Sequence, residues 1–229
     1  MTLFLTSSFC DREQVLIDPS AGFLDELKKR LKGRLRALFI CSHPHAYELS
    51  DFYGGSTRDC FEAEGFSFED FTILDDRNDK EAAFLIRRAD LIILSGGHVP
   101  TQNQYFEQIN LRQLLSPFQG VLIGISAGTM NCAERVYAQP EEEGEALDPH
   151  FRRYLKGLGL TDINVLPHYN EIKDMTLDGL RIMEDIAFPD SFKHPILVLP
   201  DGSYVLCENG EESIRGQAYW LKDGVMEPV

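Results

Sequence analysis

The fold is decided by one stretch of the sequence, Val121-Leu122-Ile123-Gly124-Ile125-Ser126-Ala127-Gly128. Its first residues form a continuous apolar run, which is typical of a central strand that is covered on both faces. The run passes into a Gly-x-Ser-x-Gly pattern, and a helical pattern begins near Thr129. A strand, a sharp turn and a helix in this order predict a serine hydroxyl that projects above the edge of a sheet.

On both sides of this stretch, apolar runs of strand length alternate with segments of helical period. Strands are predicted at 3–6, 35–41, 66–74, 91–94, 121–125, 163–166 and 196–199, and helices at 21–31, 80–88, 101–115 and 177–186. Segments 204–207 and 213–221, with the turns Asn209-Gly210 and Asp223-Gly224, predict antiparallel strands at the sheet edge. The segment through Tyr53-Gly54-Gly55 is interpreted as a polar connection. The pattern predicts one α/β domain over residues 1–229, with a mostly parallel central sheet.

Composition narrows the possible functions. The chain has 22 Lys and Arg against 37 Asp and Glu, a formal net charge of −15, which disfavours nucleic-acid and anionic membrane partners. The five cysteines form no CxxC pair, so neither a disulfide framework nor a zinc site is indicated. No apolar run reaches the length of a membrane span. We expect a protein of the reducing cytoplasm.

Ser126 is the candidate nucleophile, because the turn that carries it exposes the hydroxyl at the start of a helix. The amide of Ala127 is then expected to face the developing oxyanion. A second turn, Ser95-Gly96-Gly97-His98, ends the preceding strand, so that Gly97 is the candidate for the second oxyanion amide and His98 for a substrate contact. The alternative is a pair of glycine turns that only allow close packing.

A serine nucleophile needs a base and an acid that orients the base. His168 is the preferred base among six histidines, because it follows the apolar run 163–167 and is expected at the same sheet edge as Ser126. A metal pair at His43 and His45 is disfavoured, because no third ligand stands at a suitable spacing. Asp201, at the end of the apolar run 196–199, is the preferred acid. Its rivals are Glu171, Asp174 and the glutamates at 141, 142, 143 and 145.

Four blocks of the sequence resemble, in order and approximate spacing, those of the peptidase E family of serine peptidases, the α-aspartyl dipeptidases. The blocks are 91–97, 124–128, Leu166-Pro167-His168-Tyr169-Asn170 and Leu199-Pro200-Asp201-Gly202. The resemblance implies a flavodoxin-like fold similar to class I glutamine amidotransferases, with three layers and helices on both faces of the sheet. It also implies Ser126 as nucleophile, His168 as base and Asp201 as acid, with no cofactor and no metal. Short peptides with N-terminal aspartate are the implied substrates.

Other interpretations stay open. Cyanophycinase, a related enzyme, takes its acid from between serine and histidine, which keeps the glutamates at 141–145 as candidates and adds cyanophycin or isoaspartyl peptides as substrates. A binding module for a small ligand on the same fold is the non-enzymatic alternative. Recognition of an aspartyl side chain in the substrate needs a cationic residue, and the candidates are Arg135, Arg152 and Arg153. We expect a monomer or homodimer whose partner is a small peptide.

Overall fold

The computed structural model describes residues 1–11 and 16–229. The strands in chain order are β1 (Thr2–Thr6), β2 (Cys10–Asp11), β3 (Leu16–Ile17), β4 (Arg34–Ile40), β5 (Ser67–Leu74), β6 (Leu91–Leu94), β7 (Val121–Ile125), β8 (Arg135–Tyr137), β9 (Tyr154–Lys156), β10 (Val165–Leu166), β11 (Thr176–Leu177), β12 (Leu180–Arg181), β13 (Ile196–Val198), β14 (Tyr204–Glu208), β15 (Glu211–Arg215), β16 (Tyr219–Lys222) and β17 (Val225–Pro228).

The helices are α1 (Phe23–Arg30), α2 (Tyr47–Ala63), α3 (Ala82–Arg88), α4 (Val99–Gln108), α5 (Leu111–Leu115), α6 (Ala127–Asn131), α7 (Tyr169–Ile172) and α8 (Phe188–Asp190). A 3-10 turn, Asp79–Glu81, precedes α3, and a π-helical segment, Ile182–Ala187, precedes α8. In the ranges that the structure describes, none of the helices combines the length and the apolar character that crossing a bilayer requires.

Seven strands of the described residues form the central sheet, in the order β15-β14-β1-β7-β6-β4-β5. Strands β1, β7, β6, β4 and β5 run parallel to one another. Strands β14 and β15 extend the β1 edge in antiparallel orientation. This arrangement confirms the predicted α/β fold and its antiparallel strands near the carboxyl terminus.

Alternate residues of each central strand pack on opposite faces of the sheet, because side chains in a strand point to the two faces in turn. On one face, Leu3 and Leu5 pack with Tyr105 of α4. On the other face, Phe4 packs edge-to-face against Phe23 of α1, with ring centroids 5.2 Å apart. The two buried faces explain why the central strands read as continuous apolar runs in the sequence.

A second sheet of four strands, in the order β10-β13-β16-β17, is found in the described residues. It has its own apolar cluster, which includes Leu166, Val198 and Leu221. The strand that ends before His168, β10, belongs to this second sheet and not, as the sequence had suggested, to the central sheet. His168 itself still reaches the edge of the central sheet at which Ser126 lies. The tail is likewise divided, with β15 in the central sheet and β16 in the second.

The sequence pattern did not predict helix α2. The predicted polar connection is a helix of 17 residues that contains both Gly54 and Gly55. The buried residues of the helix are Ser50, Gly54, Cys60 and Phe61, so only its last turn buries a large side chain. A Cβ at Gly54 would lie 2.6 Å from Ile73 Cδ1 of β5. The large residues Phe52 and Tyr53 are instead exposed. The helix therefore lacks the apolar periodicity by which sequence analysis recognises one.

Two other predicted helices were also corrected by the structure. The segment 101–115 forms two helices, because Asn110 between them adopts a left-handed conformation, with φ of 55°. Segment 177–186 begins as the short hairpin β11-β12, whose turn is Asp178-Gly179 with positive φ at both residues. Asp-Gly is a sequence that favours such a hairpin turn, so this signal was present in the sequence.

Candidate active site

The carboxyl ends of the central strands surround a cleft of about 710 Å³, the size of a small-molecule site. Its lining includes the ends of β1, β4, β6 and β7 and one face of α2: Ser8, Phe9, Cys10, Phe39, Ser42, His43, Leu49, Phe52, Tyr53, Ser56, Thr57, Cys60, Ser95, Gly96, Gly97, Ile125, Ser126 and His168. Ligands of open α/β sheets bind at this end of the strands. A depression of about 580 Å³ at the opposite end, near Thr2 and Val121, has neither Ser126 nor His168 in its described lining.

Ser126 stands between β7 and α6 in a strained backbone conformation, with φ of 50° and ψ of −113°. A positive φ is unfavourable for a residue with a side chain and persists only where surrounding contacts impose it. Here the Ser126 N–H donates to the carbonyls of Thr6 and Ser7, each at 3.1 Å, and its carbonyl accepts the N–H of Met130 at 3.0 Å. These contacts hold the sharp strand-to-helix turn that the sequence predicted.

The two glycines of the Gly-x-Ser-x-Gly pattern are required by close packing. A Cβ at Gly124 would lie 2.7 Å from both the backbone nitrogen and the Cα of Thr129. A Cβ at Gly128 would lie 2.4 Å from the carbonyl oxygen of Leu94. The functional and the packing interpretations of the pattern are therefore compatible, because tight packing of α6 against β6 and β7 is what fixes the position of Ser126.

His168 joins Ser126 to Asp201 through its two ring nitrogens. Nε2 lies 2.9 Å from Ser126 Oγ, and Nδ1 lies 2.8 Å from Asp201 Oδ1. A carboxylate accepts a proton, so Nδ1 carries the hydrogen and Nε2 is left to accept the serine hydroxyl. The His168 side chain is 20% exposed and that of Asp201 is 35% exposed. The three side chains predicted from the sequence thus form one hydrogen-bonded chain.

The backbone explains how residues of two sheets meet. Ser126 follows a strand of the central sheet, and His168 follows β10 of the second sheet, with a left-handed φ of 58°. Asp201 lies on the connection that leaves β13 of the second sheet and enters β14 of the central sheet. The candidate triad therefore spans the junction between the two sheets.

Among the rival acids, Glu171 has a carboxylate oxygen within 4.8 Å of His168 and Asp201, whereas Glu145 lies at a different histidine. Glu145 does contact a histidine, but its Oε1 lies 2.9 Å from Nε2 of His98. Its Oε2 accepts the backbone N–H groups of Glu141 and Glu142. This carboxylate is committed to His98 and to its own loop, an arrangement unlike the one expected from the resemblance to cyanophycinase.

Ser7 was missed in the sequence analysis, although it lies at the centre of the site. This residue directly follows β1 and is fully buried. Its hydroxyl donates to Asp201 Oδ1 at 2.5 Å and accepts the backbone N–H of His168 at 2.8 Å. A signal was available, because Thr6-Ser7-Ser8 follows an apolar strand and polar residues at strand carboxyl ends share one crevice.

Of the two residues predicted to supply oxyanion amides, Ala127 directly follows the nucleophile and Gly97 lines the same cleft. Ala127 is the first residue of α6, and the first amides of a helix have no partner within the helix and carry partial positive charge. A Cβ at Gly96 would lie 3.5 Å from the Cβ of Ser126, so the second turn passes close to the nucleophile. Gly97 lines the same cleft with φ of 143°, and a Cβ there would collide with Ser42.

The residues predicted to bind substrate lie away from the cleft lining. Arg135 donates to the ring of His194, Arg153 pairs with Asp190 at 3.3 Å, and Arg152 is exposed. His98 contacts Thr101 and Glu145. No lysine or arginine is found among the described residues that line the cleft.

His43 is a further histidine in the cleft. Burial, together with the nearby imidazole of His98, lowers the pKa of His43. The ring is therefore neutral at pH 7, and its Nδ1 lies 2.9 Å from Ser42 Oγ. It adds hydrogen-bonding capacity to the cleft without a positive charge.

Two groups of described side chains bring three possible metal ligands within 4.8 Å of one another: His98, Glu142 and Glu145, and His168, Glu171 and Asp201. The second group contains the base and acid of the candidate triad. Its hydrogen-bonding geometry is the one that a serine nucleophile requires, because each ring nitrogen of His168 faces one of its two partners.

The chain is similar to known peptidases in sequence and in fold. The model of Peptidase family S51 matches residues 3–215. The structure of a peptidase from an acI-B1 Actinobacterium is similar, with a TM-score of 0.65 and 19% identity, over 100% of this chain and 93% of that one. A protein from Listeria monocytogenes EGD-e that carries the name peptidase E has a TM-score of 0.64 and 19% identity, over 93% and 96% of the two chains. No curated protein matches significantly.

Proposed function

Because the chain belongs to peptidase family S51 and is a serine peptidase, we propose that Ser126, His168 and Asp201 are its catalytic triad and that its substrates are short peptides. The observation that carries this proposal is the continuous hydrogen-bonded chain from Ser126 Oγ through both nitrogens of His168 to Asp201. It supplies a nucleophile, a base and a group that fixes the tautomer of the base.

The proposed reaction is acyl transfer. Ser126 Oγ attacks the carbonyl carbon of the scissile peptide bond while His168 Nε2 takes the hydroxyl proton. Asp201 stabilises the imidazolium that forms, and the amides of Ala127 and Gly97 are the proposed donors to the oxyanion. His168 then gives its proton to the leaving amine, and the C–N bond breaks. Water, activated by the same imidazole, releases the acyl group and restores Ser126.

N-terminal aspartate is the finer proposal for the substrate, and it comes from the resemblance to α-aspartyl dipeptidases. The cleft itself favours a second candidate. Phe52 and Tyr53 form an exposed aromatic pair on α2, with centroids 5.4 Å apart, and both line the cleft. Apolar surface at a binding site is available for an apolar or aromatic substrate side chain. A neutral first residue is therefore the alternative specificity.

A dipeptide panel separates the substrate candidates. The panel contains Asp-Leu, Asn-Leu, Phe-Leu, Ala-Leu and the β-linked isoaspartyl-leucine, each assayed at equal concentration for kcat/KM. Preference for Asp-Leu over the isosteric Asn-Leu supports the aspartyl proposal, whereas preference for Phe-Leu supports the apolar one. Cleavage of the β-linked peptide alone would favour the isoaspartyl or cyanophycin interpretation.

The triad is tested with Ser126→Ala and a fluorophosphonate probe. The wild-type enzyme is expected to be labelled at Ser126 and inactivated in step with labelling, because only an activated hydroxyl attacks the probe. Ser126→Ala should be unlabelled and should lose several powers of ten in kcat. An unlabelled, inactive wild-type protein that still binds peptides would instead support the binding-module alternative.

For its setting, we propose the reducing cytoplasm, in which the five free cysteines would stay reduced. A monomer or homodimer acting on a small peptide, without a nucleic-acid or membrane partner, is the proposed working form. The net charge of −15 supports this proposal, because it repels polyanionic partners.

A further inference from the structure

The buried residue Ser7 contacts all three members of the candidate triad, through its side chain and through its backbone. The Ser7 carbonyl accepts the Ser126 N–H at 3.1 Å. The Ser7 hydroxyl donates to Asp201 Oδ1 at 2.5 Å and accepts the backbone N–H of His168 at 2.8 Å. Ser7 is fully buried, so water does not compete for these positions.

The direction of these hydrogen bonds shows that Ser7 holds both the carboxylate of Asp201 and the backbone of His168. A serine hydroxyl has one proton to donate, and here that proton points to Asp201 Oδ1, the same oxygen that accepts from His168 Nδ1. The carboxylate is thereby held from two sides. The hydroxyl oxygen also anchors the backbone of His168, which stands in a left-handed conformation with φ of 58°. Such a conformation needs support from its surroundings.

Ser7 lies at a point of the fold that is held in place by strand pairing on both sides. It directly follows β1, which pairs with β7 on one side and with β14 on the other. Strand β7 leads to Ser126, and the connection into β14 carries Asp201. His168 and Asp201 approach from the second sheet, so their alignment with Ser126 depends on a contact between the sheets, which the Ser7 hydroxyl supplies.

We propose that Ser7 is a positioning residue for peptide hydrolysis, one that aligns the acid and the base from the second sheet with the nucleophile on the central sheet. The proposal rests on the proposed triad. It assigns Ser7 no contact with substrate, and its loss should therefore lower kcat with little effect on KM. A misplacement of about 1 Å costs on the order of 100-fold in rate, so a loss of about 10-fold to 100-fold is expected.

The test compares Ser7→Thr with Ser7→Val. The two side chains have nearly the same shape, and only threonine keeps the hydroxyl, so the effect of added volume cancels between them. Thr is expected to keep kcat within about threefold of its value before substitution, and Val to lose about 10-fold to 100-fold, with KM within twofold in both. The rate of fluorophosphonate labelling should fall in parallel with kcat.

A spectroscopic measurement reports directly on the alignment. The proton that His168 Nδ1 shares with Asp201 is expected as a downfield resonance in the proton NMR spectrum. Ser7→Val should shift or broaden this resonance, and Ser7→Thr should retain it. Ser191→Val is the matched control, because Ser191 is also buried and its hydroxyl also donates once and accepts once, but its partners are Phe188 and Gly224.

Equal kcat values for Ser7→Thr and Ser7→Val, or a resonance unchanged in Ser7→Val, would overturn the role of Ser7 while leaving the triad intact. Retained turnover in Ser126→Ala would refute the triad and the role of Ser7 with it. If Ser7→Val loses only as much activity as Ser191→Val, at equal loss of thermal stability, Ser7 contributes packing alone and the proposal is wrong.

Discussion

Substitution of Gly128 by alanine tests the idea that close packing of α6 positions the nucleophile. The new Cβ would lie 2.4 Å from the carbonyl oxygen of Leu94 and 2.7 Å from its carbonyl carbon. Carbon–oxygen contacts between packed elements are normally about 3.3 Å or longer, so α6 must move by roughly 1 Å. The obstacle is backbone of the buried strand β6, which a change of side-chain rotamer does not relieve.

This displacement acts on Ser126, which is two residues away at the start of α6 and 2.9 Å from His168 Nε2. A shift of about 1 Å lowers the rate by on the order of 100-fold. Overpacking of this kind also costs about 1–3 kcal/mol of folding stability. We therefore expect Gly128→Ala to fold with reduced stability and to lose about 100-fold in kcat.

The assay combines urea unfolding with steady-state kinetics on the best dipeptide of the panel. Gly55→Ala is the control, because Gly55 lies within α2 and a Cβ there meets nothing within 4 Å. It should gain about 0.5–1 kcal/mol from the helix preference of alanine and keep its kcat. Wild-type stability and wild-type kcat in Gly128→Ala would refute the packing argument.

Two further substitutions test the acid and the pH dependence of stability. Asp201→Asn should lower kcat on the order of 10⁴-fold, by analogy with the triad Asp-to-Asn change in a known serine protease. Glu145→Gln should change it by less than tenfold, and a reversed order would identify Glu145 as the acid. Arg30 and the Thr2 hydroxyl lower the pKa of Glu208 from 4.5 to about 2. This depressed pKa stabilises the fold above pH 4.5, and the stabilisation is lost as pH falls towards 2. Glu208→Gln should therefore cost about 0.5–1 kcal/mol at pH 7 and less near pH 2, where much of the Glu208 carboxylate is already protonated in the folded protein, as measured by urea unfolding at both pH values.

The parts of the fold that sequence analysis predicted correctly are those in which one local pattern decides the structure. The apolar runs of β6 and β7 are buried on both faces, so each reads as a strand without knowledge of its neighbours. The turn at Ser126 was predictable for the same reason, since a strand, two glycines and a helix follow one another directly along the chain.

The features that the sequence did not predict are those that depend on tertiary contacts between distant parts of the chain. Helix α2 packs through Gly54 against Ile73 and exposes Phe52, so apart from Cys60 and Phe61 at its end its buried face has no apolar side chains. Membership of β10 and β13 in a second sheet depends on pairing between distant segments, which local sequence does not encode. The role of Ser7 is a contact with residues about 160 and 190 positions away, and no spacing rule connects them.

The position of Asp201 on the connection between the two sheets has a consequence for the order in which activity and structure are lost on heating. The position of this carboxylate relative to Ser126 depends on how the second sheet packs on the central sheet. This packing can be lost before either sheet unfolds, because local opening costs less free energy than global unfolding. Hydrolysis should then cease at a temperature at which circular dichroism still reports intact secondary structure. Loss of activity would then report on the junction between the sheets alone. The difference between the temperature of activity loss and the temperature of unfolding would measure how independently the two sheets unfold.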